Sequence, residues 1–307
     1  MKISVVIPAY NEQAVLNLSY QRLKKVMDTF DDYELIFVND GSRDDTLKLL
    51  RQLAAEDKRV KVISFSRNFG HQEAVSAGMA KSSGQAVVII DCDLQDPPEL
   101  IPEMVDKWRN GADIVYGRRV KRKGETAFKK LTAWLYYRVL KSLGGQYIPA
   151  NTGDFRLIDR RVCDTLTRMP ERNRFLRGMA AWSGFKSEPI DFVRDERAAG
   201  ETKYSMKKML KLAGDGIMAF SNKPLRFPLY FGIFLSVLTA VYLVLSIIFT
   251  AMGAWAVTHI IFALIFCLLS GLYLAIGIFG LYLGRIYDEA KARPIYIIDE
   301  QINLEEI

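Results

Sequence analysis

Between Phe227 and Gly284 the chain carries no Asp, Glu, Lys or Arg for 58 residues, and no other feature limits its fold so sharply. As one helix this run would reach roughly 87 Å at 1.5 Å per residue, against a hydrocarbon core of about 30 Å. Two spans joined by a tight turn fit better, and the sequence predicts them at 227–251 and 258–283, with the turn at 252–257. Lys207, Lys208, Lys211, Lys223 and Arg226 precede the first span; Arg285, Lys291 and Arg293 follow the second. Basic flanks at both ends put both termini in the cytoplasm, which makes the pair a hairpin. A buried helical pair in a soluble protein is the alternative, but such helices rarely lack charge for so long. No signal peptide is expected, because the apolar stretch after Lys2 stops at Pro8 and Asn11.

Two further stretches carry apolar residues at helical spacing beside lysines and arginines. In 206–220, Met206, Met209, Leu210, Ala213, Ile217 and Phe220 share a face away from Lys207, Lys208 and Lys211. In 126–143, Phe128, Leu131, Leu135 and Val139 alternate with Lys129, Lys130, Arg138 and Lys141, near Trp134, Tyr136 and Tyr137. Basic amphipathic helices beside a membrane hairpin suit the headgroup layer, with ordinary half-buried surface helices as the alternative. The net charge of +7 points to acidic partners, anionic lipid or phosphorylated substrate among them. Cys92, Cys163 and Cys267 are too dispersed for a disulfide framework or a cysteine-rich zinc site. With only His71 and His259, a multi-histidine metal centre is excluded. His71, at a helix start after Phe69-Gly70, is assigned no role.

The first 117 residues alternate short β-rich runs (ISVVIP, YELIFV, VKVISF, AVVIID, DIVYG) with helical patterns starting near Glu12, Asp44, His71 and Pro98. That alternation predicts βαβ units and a mostly parallel sheet flanked by helices, with ligands bound outside the carboxyl ends of the strands. Polar residues gather at those ends: Tyr10, Asn11 and Glu12; Asn39, Asp40 and Ser42; Arg67 and Asn68; Asp91, Asp93 and Gln95; Arg118 and Arg119. The first turn reads PAYNE, without a G-x-G-x-x-G or P-loop pattern, which disfavours a dinucleotide-binding dehydrogenase or P-loop NTPase. Asp91 and Asp93, taken as extended, address one point, and with the Gln95 amide they suit Mg²⁺ or Mn²⁺ bridging a diphosphate. Asp44 is expected to cap the second helix, and Asp40 to accept from a base or ribose. Tyr10 either offers its ring to a nucleobase or packs over the sheet edge.

The segments IPAYNE, VNDGSRDDT, SRNFGHQEAVSAGM, DCDLQDPPE, NTGDFRLID and RAAGETKYS occur in this order. Together they resemble the family-2 glycosyltransferases of GT-A fold. The closer resemblance is to the polyprenyl-phosphate glycosyltransferases, the group of dolichyl-phosphate mannose synthase and the bacterial undecaprenyl-phosphate sugar transferases. The resemblance implies that Pro8, Tyr10, Glu12 and Asp40 hold the nucleotide, and that Asp91, Asp93 and Gln95 hold the metal and diphosphate. It sets Asp154 at the reacting centre with Asp93, and gives phosphate contacts to Arg118, Arg197 and Lys203; Arg119, beside Arg118, is taken with it for the lipid phosphate. Cys92 stands where a small residue such as Ala is usual, and Thr202 where Ser is common. The run Arg172-Asn173-Arg174-Phe175-Leu176-Arg177 does not match the Q-x-x-R-W motif of processive synthases.

The expectation is therefore a bacterial cytoplasmic-membrane enzyme with four parts: a nucleotide-sugar core at 1–117, an acceptor-side and interfacial region at 118–226, two transmembrane helices at 227–284, and a cytoplasmic tail at 285–307. It would move one sugar, glucose or N-acetylglucosamine, from a UDP-sugar to undecaprenyl phosphate, with inversion as the resemblance implies. Two other readings remain open: a protein or soluble glycan as acceptor, and an inactive nucleotide-sugar-binding scaffold. Asp154 either orients the acceptor, stabilises positive character at the anomeric carbon, or acts as base. No nucleic-acid partner is expected, and a homo-oligomer is left open. The segment Pro294–Ile298 has strand character and is expected to pair, if at all, with a neighbouring subunit.

Overall fold

In KISVVIPA nearly every residue is buried, so this strand needs cover on both faces and belongs at the centre of a sheet. The computed structural model, which describes residues 1–121, 152–193 and 257–304 and scattered positions between 228 and 248, puts it there. Its elements are β1 (Lys2–Ala9), α1 (Leu16–Met27), β2 (Asp32–Asn39), α2 (Thr46–Glu56), β3 (Val60–Phe65), α3 (His71–Lys81) and β4 (Ala86–Ile89). A short 3-10 turn leads to α4 (Ile101–Arg109), β5 (Ile114–Lys121), β6 (Thr152–Asp159), α5 (Arg160–Arg168), α6 (Leu176–Trp182) and β7 (Ser187–Val193). The long helix α7 (Val257–Lys291) and the strand β8 (Ile298–Ile302) complete the described chain.

Among the described residues these strands form one eight-stranded sheet in the order β7-β5-β6-β4-β1-β2-β3-β8. The α/β expectation holds, but the sheet is mixed. The first four strands pair in parallel, whereas β6 runs antiparallel to β4 and β5, and β8 antiparallel to β3. Alternation along each strand divides the core. Ile3, Val5 and Ile7 face a cluster with Leu16, Leu23, Leu50 and Met104 of α1, α2 and α4. Val6, Val87 and Ile89 face Val75, Met79, Val162 and Met179 of α3, α5 and α6. Pro8 is tolerated in so central a strand for a topological reason. The Val6 carbonyl accepts from Ile90, so the missing N–H of Pro8 faces the β4 side beyond the last β1–β4 register pair, Val6 with Ile89.

At the amino end of the sheet, buried Glu34 accepts from Ser4, the Ser83 amide and the Ser83 hydroxyl, and pairs with Lys2 and Lys61. This cluster lies at the end of the sheet opposite the loops considered below, and it holds strands together.

Helix α7 is 35 residues long and continues past the apolar run to Lys291. Its segment Cys267–Lys291 is long and apolar enough to cross a membrane, and none of its 18-residue apolar window is buried. The described positions between 228 and 248 are helical. A Cβ on Gly271 would come within 2.8 Å of the Phe231 ring and 2.9 Å of Leu235, so a side chain there would drive the two apolar segments apart. The predicted interfacial helices at 126–143 and 206–220 lie outside the described residues.

The tail corrects the expectation of a strand at 294–298 pairing with a neighbour. Ala292, at φ +51°, ends α7 and turns the chain back, and Ile298–Ile302 pairs with the chain's own β3. Tyr296 stacks on Phe65 at 5.1 Å, Arg51 grips Glu300 through two nitrogens, and Asn303 donates to the carbonyls of Ala54 and Val60. A covered edge removes a template for pairing with other chains.

Candidate active site

The loops leaving the carboxyl ends of β1 and β2 are clipped together by side chains. The amides of Asn11, Glu12 and Gln13 donate to Ser42, Thr46 and Asp44, while Asn11 and Gln13 accept in return from the amides of Arg43 and Asp45. Asp44 caps α2 as expected, from one residue before the N-cap, by accepting the Thr46 amide and hydroxyl. Tyr10 and Glu12 ride half-buried on this rigid pair of loops, and Pro8 is buried beneath them.

Asp40 is used differently from the sequence expectation. It is 3% exposed, and its carboxylate accepts from the Asn68 side chain and from the amides of Phe69 and Gly70. Burial raises its pKa, and those amides offset part of the rise. Gly41 beside it has φ +63°, and a Cβ there would lie 2.3 Å from the Arg67 carbonyl carbon. Asp40 thus fixes the 67–70 loop against the β2 loop instead of facing outward to a base or ribose.

The acidic segment after β4 is a turn. The strand ends at Ile89, Cys92 and Asp93 form the bend, and Leu94 sits at φ +59°, an uncommon conformation for a branched side chain. The segment is not extended, so strand alternation does not aim Asp91 and Asp93 at one point as expected from the sequence. Asp91 is partly exposed, whereas Asp93 is buried and accepts the Gln95 amide at 3.1 Å. Asp96, fully buried, pairs with Arg119 at 3.5 Å.

His71 and Arg177, neither of which the local sequence marks as a site residue, join these acids to Asp154. His71 Nε2 lies 3.4 Å from Asp154 Oδ2 and 3.6 Å from Asp91 Oδ1. Arg177, in the first turn of α6, donates through Nε and Nη2 to the two oxygens of Asp154 at 2.9 and 3.1 Å, and through Nη1 to the Thr152 carbonyl. Arg156 lies two residues beyond Asp154 on the same face of β6 and brings Nη2 to 4.0 Å from it. Burial alone would raise the Asp154 pKa, but the Arg177 charge, His71 and Arg156 hold it well below the ordinary carboxylate range. Burial likewise acts to lower His71, yet Asp154 and Asp91 push it up to about 9. Burial brings Arg156 down to about 10, leaving it charged at neutral pH. Arg156 was legible by the period of two in GDFRL. His71 was not, because nothing local distinguishes it from a first-turn polar residue.

Strand alternation separates the two arginines expected to act together. Arg118 lies opposite Asp191 of β7 and forms a bidentate pair with it, both side chains nearly half exposed. Arg119 points the other way, to Asp96. Only Arg119 belongs with the acidic turn. Arg197 and Lys203 lie outside the described residues.

No group of three or more His, Cys, Asp or Glu side chains converges as a metal centre among the described residues. Asp91, Asp93 and the Gln95 amide are hard oxygen donors. They fit the mode in which Mg²⁺ takes one or two carboxylates and completes its shell with water and substrate phosphates.

Residues 4–167 match the family described as Glycosyl transferase family 2. An uncharacterized glycosyltransferase of Bacillus subtilis is 52% identical over 99% of this chain and 95% of its own length. A bactoprenol glucosyl transferase of Shigella phage SfV is 39% identical over 98% and 99%. Among solved structures, glucosyl-3-phosphoglycerate synthase from Mycobacterium tuberculosis, in complex with Mn²⁺, UDP-glucose and phosphoglyceric acid, has a TM-score of 0.45 at 22% identity, covering 71% of this chain and 77% of that one.

Proposed function

Since this chain belongs to glycosyl transferase family 2, we propose that it moves one sugar, glucose first among the candidates and N-acetylglucosamine second, from its UDP-sugar to undecaprenyl phosphate at the inner face of a bacterial cytoplasmic membrane. The observation that carries the reading is the cluster Asp91–His71–Asp154–Arg177, which ties the acidic turn after β4 to an anion on β6. The near-full-length likeness to a bactoprenol glucosyl transferase supports the lipid acceptor. The charge-free run, with α7 and the Gly271 contact to Phe231 and Leu235, supports a two-span hairpin holding the catalytic part at the bilayer. Termini on the cytoplasmic side follow from the basic flanks.

In this reading Tyr10 and Glu12 flank the nucleotide, and Asp40 acts at one remove by shaping the loop beside it. Asp91, Asp93 and Gln95 would hold Mg²⁺ or Mn²⁺, which when bound neutralises charge on the departing diphosphate. Arg119, Arg197 and Lys203 add cationic contacts for phosphates, whereas Arg118 stays in its surface pair. Lipid phosphate is a monoester with a second pKa near 6, so at neutral pH it is mostly dianionic and needs no strong base. Asp154, locked as an anion by Arg177, is a poor proton acceptor. Its role is to orient the acceptor and to stabilise positive character at the anomeric carbon, with attack from the face opposite the leaving group and inversion.

The test is incubation of the purified protein with UDP-glucose, UDP-N-acetylglucosamine or GDP-mannose, Mg²⁺ and undecaprenyl phosphate. Lipid-linked sugar from a UDP-sugar is expected. No lipid-linked product from any donor refutes the proposal.

A further inference from the structure

The last turn of α7 carries an acid where the helix dipole disfavours one: Glu289, three residues before the left-handed Ala292. Its carboxylate accepts the Arg172 amide at 2.9 and 3.1 Å and the Asn173 amide at 3.3 Å. Those amides open the loop that leads into α6. The loop has two further ties, both nearer its α6 end. Arg174 donates to the carbonyls of Thr167 and Met169 behind it, and the Leu176 amide donates to the Gln72 side chain of α3. Gln72 follows His71, and Arg177 follows Leu176. The two ends of this connection are therefore the apolar helix and the pair of side chains that grip Asp154. The tail that leaves the same helix is itself docked on β3, through Tyr296 on Phe65.

We propose that Glu289 is a positioning residue: by holding the Arg172 and Asn173 amides it fixes the 171–176 loop, and with it the Arg177 clamp on Asp154, to the end of α7. Removing the carboxylate frees two amides and lets the loop move relative to the helix. Asp154 then loses a fixed orientation, although no group touching substrate has been changed. Gln at this position keeps the Oε1 acceptor that both amides share, so it preserves most of the effect without the charge.

Two measurements on the full-length protein in lipid nanodiscs test this, with Glu289→Ala and Glu289→Gln. In amide hydrogen exchange, Glu289→Ala should accelerate residues 172–173 and the following loop by about tenfold, with Glu289→Gln close to wild type. In turnover with undecaprenyl phosphate, Glu289→Ala should lower kcat by about tenfold and leave the donor KM within about twofold, with Glu289→Gln again close to wild type. The turnover arm rests on the glycosyl-transfer reading above and the exchange arm does not, so an inactive wild-type protein would defeat that reading while exchange still decides this one. Unchanged exchange at 172–173 in Glu289→Ala overturns the proposal. Fast exchange with undiminished kcat overturns it too, as does equal loss of kcat in Ala and Gln. In an Arg177→Lys background the Glu289→Ala effect should shrink to about twofold, because both changes act through one contact. Full additivity would show that Glu289 acts elsewhere.

Discussion

Replacing Arg177 with Ala removes both donors that face the two oxygens of Asp154, and strands the carboxylate on β6. The Asp154 side chain is 13% exposed and that of Arg177 24%, so the pair is largely out of water. Breaking a buried pair from one side costs about 3–5 kcal/mol, because the remaining charge keeps its desolvation penalty. Here His71 at 3.4 Å and Arg156 at 4.0 Å remain to compensate, which puts the cost at the low end, about 3 kcal/mol. At 2–4 °C per kcal/mol for a domain of this size, the apparent melting temperature should fall by roughly 6–12 °C. Scans at one fixed rate, by tryptophan fluorescence in detergent, would measure it in four proteins: wild type, Arg177→Ala, Asp154→Asn and the double variant. With Asn at 154 no charge is stranded, so the same Arg177→Ala change should cost only about 1 kcal/mol and leave a coupling of about 2 kcal/mol. Equal losses in the two backgrounds would refute the view that Arg177 is there to hold an anion.

Other outcomes follow from the same contacts. Glu34 is held at a pKa of about 2, against an ordinary 4.5, because Lys61, Ser4, Ser83 and Lys2 outweigh the opposing effect of its burial. Its folded pKa is depressed, so its contribution of about 3 kcal/mol is complete above pH 4.5 and is lost as pH falls towards 2. Glu34→Gln should flatten that acid limb in urea melts, and parallel profiles for the two proteins would count against the assignment. Cys92, pushed up to about 12 chiefly by burial and then by neighbouring acids, should react with iodoacetamide at pH 8 on the order of a thousandfold more slowly in the folded protein than in urea; comparable rates would show the acidic turn to be open. Arg118→Ala should leave the melting temperature close to that of the wild type, since its pair with Asp191 is at the surface. Arg119→Ala should lower the melting temperature clearly more than Arg118→Ala does, by taking a charge partner from fully buried Asp96. Thermal melts giving the reverse order would overturn the facing assigned to these two residues.

Features that depend on local pattern were legible before any fold was known. The 58-residue charge-free run demands an apolar environment whatever the rest of the chain does. The strand–helix alternation of residues 1–117 demands a covered sheet, because runs such as ISVVIP have no polar face to show water. The same alternation brought Asp91 and Asp93 forward as candidates, since ligand chemistry collects at the carboxyl ends of such strands, whereas Asp154 came forward only through the resemblance to family-2 glycosyltransferases. Features that depend on long-range proximity needed the packed chain. His71 and Asp154 are 83 positions apart and meet only because β6 inserts antiparallel beside β4. Arg177 reaches Asp154 because α6 packs on the face that β6 presents. Asp40 looked like a ligand and became a loop anchor once the 67–70 segment closed over it, for a carboxylate accepts from whichever donors the fold brings within reach. Glu289 and the tail strand belong to the same class: a charge or a β-prone run fixes the need for a partner, and only the packed chain supplies one.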